Sequence, residues 1–88
     1  MSFRITVESA FRRRLQKKTP NQQGAILECI EQLSNDPRHP GLKTSRVQGQ
    51  RDVWEARIDK SNRLTWKYGD SDEIVLLNNC SHDDVYRR

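Results

Sequence analysis

No stretch of the 88-residue chain approaches the roughly 18 consecutive apolar residues that a bilayer span requires, and residues 1–18 lack the apolar run of a secretory signal. Membrane insertion and export are therefore not expected, and the sequence reads as that of a cytosolic protein. Cysteine is scarce: Cys29 and Cys80 are the only two and lie far apart, so no disulfide framework is implied and both thiols are expected to be reduced. Metal ligands are scarce as well. Cys80 and His82 are too few and too close to make a site, and no other ligand cluster exists, so neither a metal nor a cofactor is expected. Length excludes a two-domain organisation, because domains usually need at least about 50 residues and most are nearer 100 to 150. A single domain over residues 1–88 is the expectation, with a thin core and net stability of roughly 4 to 13 kcal/mol.

Charge is abundant but uneven. Sixteen Lys and Arg against twelve Asp and Glu give a net charge of +4; residues 1–44 hold eight basic and four acidic side chains, and residues 45–88 hold eight of each. The excess is N-terminal. Arg12, Arg13, Arg14, Lys17 and Lys18 fall within seven positions. That density suits either a solvated helix face or a surface that attracts a polyanion.

Periodicity organises the chain. Phe3, Ile5 and Val7 alternate with polar residues, as in a strand with one buried face. Phe11 and Leu15, four apart over residues 8–18, predict a short helix with an apolar stripe. Thr19 as N-cap and Pro20 at the first helical position open a second helix, in which Ile26, Cys29, Ile30 and Leu33 recur at helical spacing. Cys29 reads as a small core residue. Two prolines and a glycine within Asn35–Gly41 end that helix. A period of two then takes over: a short edge strand within Leu42–Gly49, then strands at Val53–Ile58, Arg63–Tyr68 and Glu73–Cys80. Ile74 to Leu77 lacks polar alternation, which predicts a position inside the sheet with both faces covered.

The result is an α+β fold in β-α-α-β-β-β-β order: a small, mostly antiparallel twisted sheet with two N-terminal helices on one face and a short C-terminal helix. Matching Trp54, Ala56 and Ile58 against Leu64, Trp66 and Tyr68 sets Ile58 opposite Leu64, with Lys60, Ser61 and a left-handed Asn62 as a three-residue loop. Glu55, Arg57, Arg63, Thr65 and Lys67 then share the opposite face, with Arg57 opposite Thr65 and Glu55 opposite Lys67. With the helices on the apolar side, this polar face is expected to be open to a ligand. Trp54 and Trp66 belong to the core on this reading. Near the C-terminus, Ser81 reads as an N-cap followed by Asp83 and Asp84 in the first turn, which places His82 and Tyr86 on one side of a short helix. His39, between Arg38 and Pro40, is read as structural or exposed.

The element order, the segment Asp36-Pro37-Arg38-His39-Pro40-Gly41-Leu42-Lys43 leading to Val47-Gln48-Gly49, and the strands Val53-Trp54-Glu55-Ala56-Arg57-Ile58 and Arg63-Leu64-Thr65-Trp66 resemble the RelE/ParE toxin superfamily. The ending Ser81-His82-Asp83-Asp84-Val85-Tyr86 is similar to that of its YafQ-like and YoeB-like branches. The resemblance spans nearly the whole chain and rests on the ordered combination of individually loose motifs. It implies the toxin of a bacterial toxin–antitoxin pair, an mRNA endoribonuclease acting at the ribosomal A site and held inactive by a cognate antitoxin, for which an acidic, partly disordered protein would fit.

Metal-free cleavage through the 2′-hydroxyl requires proton removal, stabilisation of the phosphorane and protonation of the leaving oxygen. His82 suits either proton transfer, because an imidazole has an ordinary pKa of about 6.5. Arg63 corresponds to the family's strand arginine and is the first choice for the phosphate, with Arg57 and Lys67 as supporting cations. Tyr86 would stack on a base or orient the scissile nucleotide. Glu55 is either a general base or the ion-pair partner of Lys67. Lys43 matches a family lysine, and Arg12, Arg13, Arg14, Lys17 and Lys18 would contact ribosomal RNA. RelE itself centres on lysine and arginine, whereas this chain brings a histidine and a carboxylate. Two other readings stay open: a ParE-like gyrase inhibitor, and a non-catalytic module that binds RNA or antitoxin.

Overall fold

A computed structural model describes residues 2–81. Strand β1 (Arg4–Val7) leads into helices α1 (Ser9–Gln16) and α2 (Pro20–Asn35); a 3-10 turn at Pro40–Leu42 precedes strands β2 (Ser45–Arg46), β3 (Trp54–Arg57), β4 (Asn62–Tyr68) and β5 (Glu73–Ser81). His82, Tyr86 and the expected C-terminal helix lie outside the described residues.

Local chemistry accounts for the helix boundaries. The Thr19 hydroxyl accepts from the Gln22 backbone N–H at 3.2 Å, and the Gln22 side chain accepts from the Thr19 N–H at 3.0 Å. This reciprocal pair satisfies two donors that the first turn of α2 leaves unpaired. Beyond Asn35 the chain leaves helical geometry at Asp36, and its side chain accepts from the Arg38 N–H at 3.0 Å, turning the chain toward Pro40.

The five strands form one sheet in the order β1-β5-β4-β3-β2, with β1 parallel to β5 and the other pairs antiparallel. Phe11 from α1 and Ile26, Cys29 and Leu33 from α2 pack with Ala56, Leu64, Trp66, Ile74 and Leu76 of the sheet, so both helices cover one face. The expected core thus forms, with Trp66 buried and Trp54 half-buried and stacked on it at 5.8 Å. Asn79 is the polar member of this face: it is fully buried, and its Nδ2 donates to the Phe11 carbonyl at 3.0 Å, tying β5 to α1.

Several expectations need correction. The edge strand within Leu42–Gly49 shrinks to Ser45–Arg46, because Pro40–Leu42 forms the 3-10 turn and Lys43 follows it at φ 48°. In β5, Ile74 and Leu76 are buried but Val75 and Leu77 only half-buried, so one face alone belongs to the main core. A bulge explains the change of phase. Trp66 pairs with Leu76 while Thr65 pairs with Asn78, leaving Leu77 as the extra residue, and this turns Asn79 inward toward α1.

The β3–β4 hairpin also differs from expectation. Ala56, not Ile58, lies opposite Leu64; Arg57 faces Arg63 and Glu55 faces Thr65. Because the offset is two residues, every side chain keeps its predicted face. The cause is Asp59, whose carboxylate accepts from the Ser61 N–H, the Asn62 N–H and the Asn62 side-chain amide, all at about 3.0 Å. The turn closes with the Ile58 N–H donating to the Asn62 carbonyl at 3.0 Å. Asn62 is not left-handed; among the described non-glycine residues only Lys43, Asp52 and Asp72 have positive φ.

Candidate functional site

The registers lay out the outer face of the sheet as two rows. Ser45, Glu55, Thr65 and Asn78 run across four strands, and beside them lie Arg57, Arg63 and Cys80. Adjacent strands sit about 4.8 Å apart, so the two arginines and the Glu55 carboxylate occupy neighbouring positions on one surface. Lys67 lies on the same face further along β4, opposite Val75. Sequence patterning thus identified the shared face, but Asn78 joins it only through the bulge at Leu77, which residue-by-residue alternation does not reveal.

This face is not open throughout. Glu55, Arg63 and Thr65 are exposed by only 7%, 6% and 8%, whereas Arg57 and Lys67 are exposed. A second, smaller apolar cluster forms here: Val47 and Cys80 are buried together, with Val53 packed against them. The Val47 N–H donates to the Val53 carbonyl at 2.8 Å, which closes the loop of residues 47–53 at the edge of this face.

Burial constrains Arg63 in a specific way. Its Nη1 donates to the carbonyls of Asp59 at 2.8 Å, Asn62 at 3.0 Å and Lys60 at 3.3 Å, so one arm of the guanidinium holds the hairpin loop. Burial alone would push the Asp59 carboxyl up, but hydrogen bonds from the Asn62 side chain and from the Ser61 and Asn62 N–H groups, with the Arg63 charge, hold it below the usual carboxylate range. Arg57, directly opposite, makes no side-chain hydrogen bond or ion pair among the described residues. Of the two arginines, it is the one available to an incoming anion.

The other predicted residues are distributed more widely. Arg12, Arg13 and Arg14 on α1 and Lys17 just after it are exposed, and Lys18 is half-buried. None of the five takes an ion-pair partner among the described residues. Lys43 is exposed in the loop before β2. The His39 Nδ1 accepts from the Gly41 N–H at 3.0 Å, the structural role expected of it. Cys29 lies beneath β3, its Sγ 3.8 Å from the Arg57 carbonyl, and burial pushes its thiol pKa up to about 12. His82 and Tyr86 lie outside the described residues. β5, however, runs as far as Ser81, which pairs with Asn62, next to the Arg63–Cys80 pair.

No family model matches the sequence, and no curated protein matches it. Solved structures do. The RelBE2 toxin–antitoxin complex of Mycobacterium tuberculosis is similar with a TM-score of 0.76 at 20% identity, covering 93% of this chain and 100% of that one. The YoeB/ParE toxin of Agrobacterium tumefaciens gives a TM-score of 0.73 at 14% identity, covering 90% and 98%. The DinJ–YafQ toxin–antitoxin complex of E. coli gives 0.67 at 14% identity, covering 99% and 100%. At these identities the likeness lies in the backbone, over nearly the whole length of both partners in each comparison. The chain has the fold of the RelE/ParE toxin superfamily.

Proposed function

We propose that the protein is the toxin of a toxin–antitoxin pair and that it cleaves ribosome-bound mRNA through the 2′-hydroxyl. One observation carries the reading: the fold of solved RelE, YoeB and YafQ toxins is combined here with a tile of arginines beside the last residue of β5, and His82 is the covalent neighbour of that residue. In the reaction the 2′-oxygen attacks phosphorus as its proton passes to a base, and the 5′-oxygen leaves as it receives a proton. The products are a 2′,3′-cyclic phosphate and a 5′-hydroxyl. His82 supplies one of these proton transfers, and Glu55, on the same sheet face as Arg57 and Arg63, supplies the other. Arg57 meets the phosphate with its free guanidinium fork, Arg63 fixes the hairpin that carries it, and Lys67 adds positive potential. Tyr86 orients the scissile nucleotide. The exposed cations of α1, with Lys17, Lys18 and Lys43, contact ribosomal RNA backbone. A cognate antitoxin holds the toxin inactive, as the DinJ and RelB complexes suggest.

The test is incubation with programmed ribosomes followed by mapping of RNA ends. Cleavage in the A-site codon is expected, and His82→Ala should slow it by about 10²- to 10⁴-fold. Intact A-site mRNA with folded wild-type protein, indistinguishable from His82→Ala, would refute the reading. Likeness to a YoeB/ParE toxin supports a second one, gyrase inhibition. Loss of supercoiling activity that persists in His82→Ala would favour it.

A further inference from the structure

The sheet has two edges, β1 and β2, and they are not alike. β2 is only two residues long, whereas β1 offers Arg4–Val7 and stays extended through Glu8, at φ −70° and ψ 152°. The N–H groups of Arg4 and Glu8 donate to the carbonyls of Asp72 and Leu76, at 2.7 and 3.0 Å. The even-numbered residues of β1 therefore turn their main-chain groups toward β5, and the odd-numbered residues turn theirs away. At Phe3 this outer row is already used, since its N–H donates to the Ser34 carbonyl of α2 at 2.7 Å. The Ile5 and Val7 N–H groups take no partner among the described residues.

An unpaired edge accepts another strand, and sheets commonly guard one with charges that repel a second copy. Here the charges do the reverse. Arg4, Thr6 and Glu8 are exposed on the outer face of the sheet, while Phe3, Ile5 and Val7 are half-buried on the helix side. Set antiparallel to itself about a two-fold axis at Thr6, the strand places Ile5 opposite Val7 of the second copy on each side of the axis. Each such pair exchanges both N–H···O bonds. The same register puts Arg4 opposite Glu8 of the second copy, again on each side. Other two-fold registers are worse. An axis at Arg4 or at Glu8 sets like charges face to face, one at Ile5 calls on the Phe3 N–H that Ser34 holds, and one at Val7 runs into Ser9, where α1 begins. The Glu8 side chain is free for the contact: it caps no N–H of α1 and has no ion-pair partner among the described residues. Arg4 lies between Glu73 of β5 and the open edge, and its Nη2 donates to the Ser71 carbonyl at 3.3 Å.

We propose that β1 is a self-pairing edge through which two copies of this chain join their sheets into one, with Arg4 and Glu8 as reciprocal partners. The surface is independent of the nuclease reading, and the axis leaves both arginine rows on the same side of the joined sheet. So short an edge makes a weak interface, so the full-length chain is studied from about 10 µM to about 1 mM. Sedimentation equilibrium should pass from the mass of one chain to that of two. Hydrogen exchange followed by NMR should slow with concentration at the Ile5 and Val7 amides but not at Thr6, whose N–H faces β5. Glu8→Arg and Arg4→Glu should each weaken association by about 5- to 100-fold. Mixed in equal amounts, the two variants restore every opposite-charge pair and should associate again, with circular dichroism verifying that each is folded. A single-chain mass at every concentration would overturn the proposal and leave the edge to a strand of another protein. A dimer indifferent to both variants, or folded variants that the mixture fails to rescue, would overturn it as well. So would exchange at Ile5 and Val7 that is equally slow at every concentration, which would mean that the edge is covered within one chain.

Discussion

Replacing Asn79 by Asp should make the fold markedly less stable at neutral pH than in acid. The wild-type Nδ2 donates to the Phe11 carbonyl at 3.0 Å from a fully buried position, and Oδ1 has no protein partner among the described residues. An ionised carboxylate there would set an acceptor against an acceptor; a protonated carboxyl can still donate. A fully buried carboxyl titrates about 3 to 5 pH units above its exposed value of about 3.9, and at pH 7 the cost is set by the roughly 3 units between that exposed value and the working pH, about 4 kcal/mol. The whole domain commands roughly 4 to 13 kcal/mol, so this one change consumes about a third to all of it. The sign follows from linkage: the introduced group has its folded pKa raised, the folded state holds the extra proton, and stability falls as pH rises from about 4 through the folded pKa. Asn79→Leu is the control. It gives up one hydrogen bond of about 1 kcal/mol but also removes an unpartnered buried oxygen that costs about 1 to 3 kcal/mol, so it should be neutral or slightly stabilising. Urea unfolding followed by circular dichroism at pH 4.5 and pH 7 reads both. If Asn79→Asp were as stable as wild type at pH 7, the buried contact between β5 and α1 would be wrong.

Thr19→Ala removes half of the capping box of α2 and should cost about 1 kcal/mol in denaturant unfolding, with Thr19→Ser recovering most of it. The Glu73 carboxyl is held below its ordinary range by the Thr6 hydroxyl first, then by the Asp70 N–H and Arg4. Its contribution is therefore present above the unfolded carboxylate pKa and lost as pH falls through the folded value. Glu73→Gln should be less stable than wild type at neutral pH and should lose less on acidification, measured by thermal melts from pH 6 to pH 3. With its thiol pKa pushed up to about 12, Cys29 should resist alkylation by iodoacetamide at pH 8 in the native state and react only on unfolding, as read by mass spectrometry.

The second helix was legible because three independent signals agreed: Thr19 as cap, Pro20 inside the first turn, and apolar residues at helical spacing. The strands and their faces were legible from alternation, which a two-residue offset in register leaves intact. The register itself was not, because it is set by three donors converging on the Asp59 carboxylate, and the composition of the loop gives no measure of that convergence. Burial of Glu55, Arg63 and Thr65 was hidden for a related reason. Val47 and Val53 read as parts of neighbouring strands, whereas in space they pack with Cys80 on the polar side of the sheet. Patterning therefore located the shared face but not the burial of Arg63 against the hairpin loop, nor that Arg57 opposite it stays exposed.

The parallel pairing of β1 with β5 bears on how the protein is made. β5 lies between β1 and β4, so the first strand synthesised has no sheet neighbour until the last one has left the ribosome. A nascent chain stopped before Glu73 holds only the β2-β3-β4 meander and two helices with half a floor to rest on. Such contacts between distant parts of a chain form late in folding. The row of Arg57, Arg63 and Cys80 would then be completed only when Cys80 arrives beside Arg63.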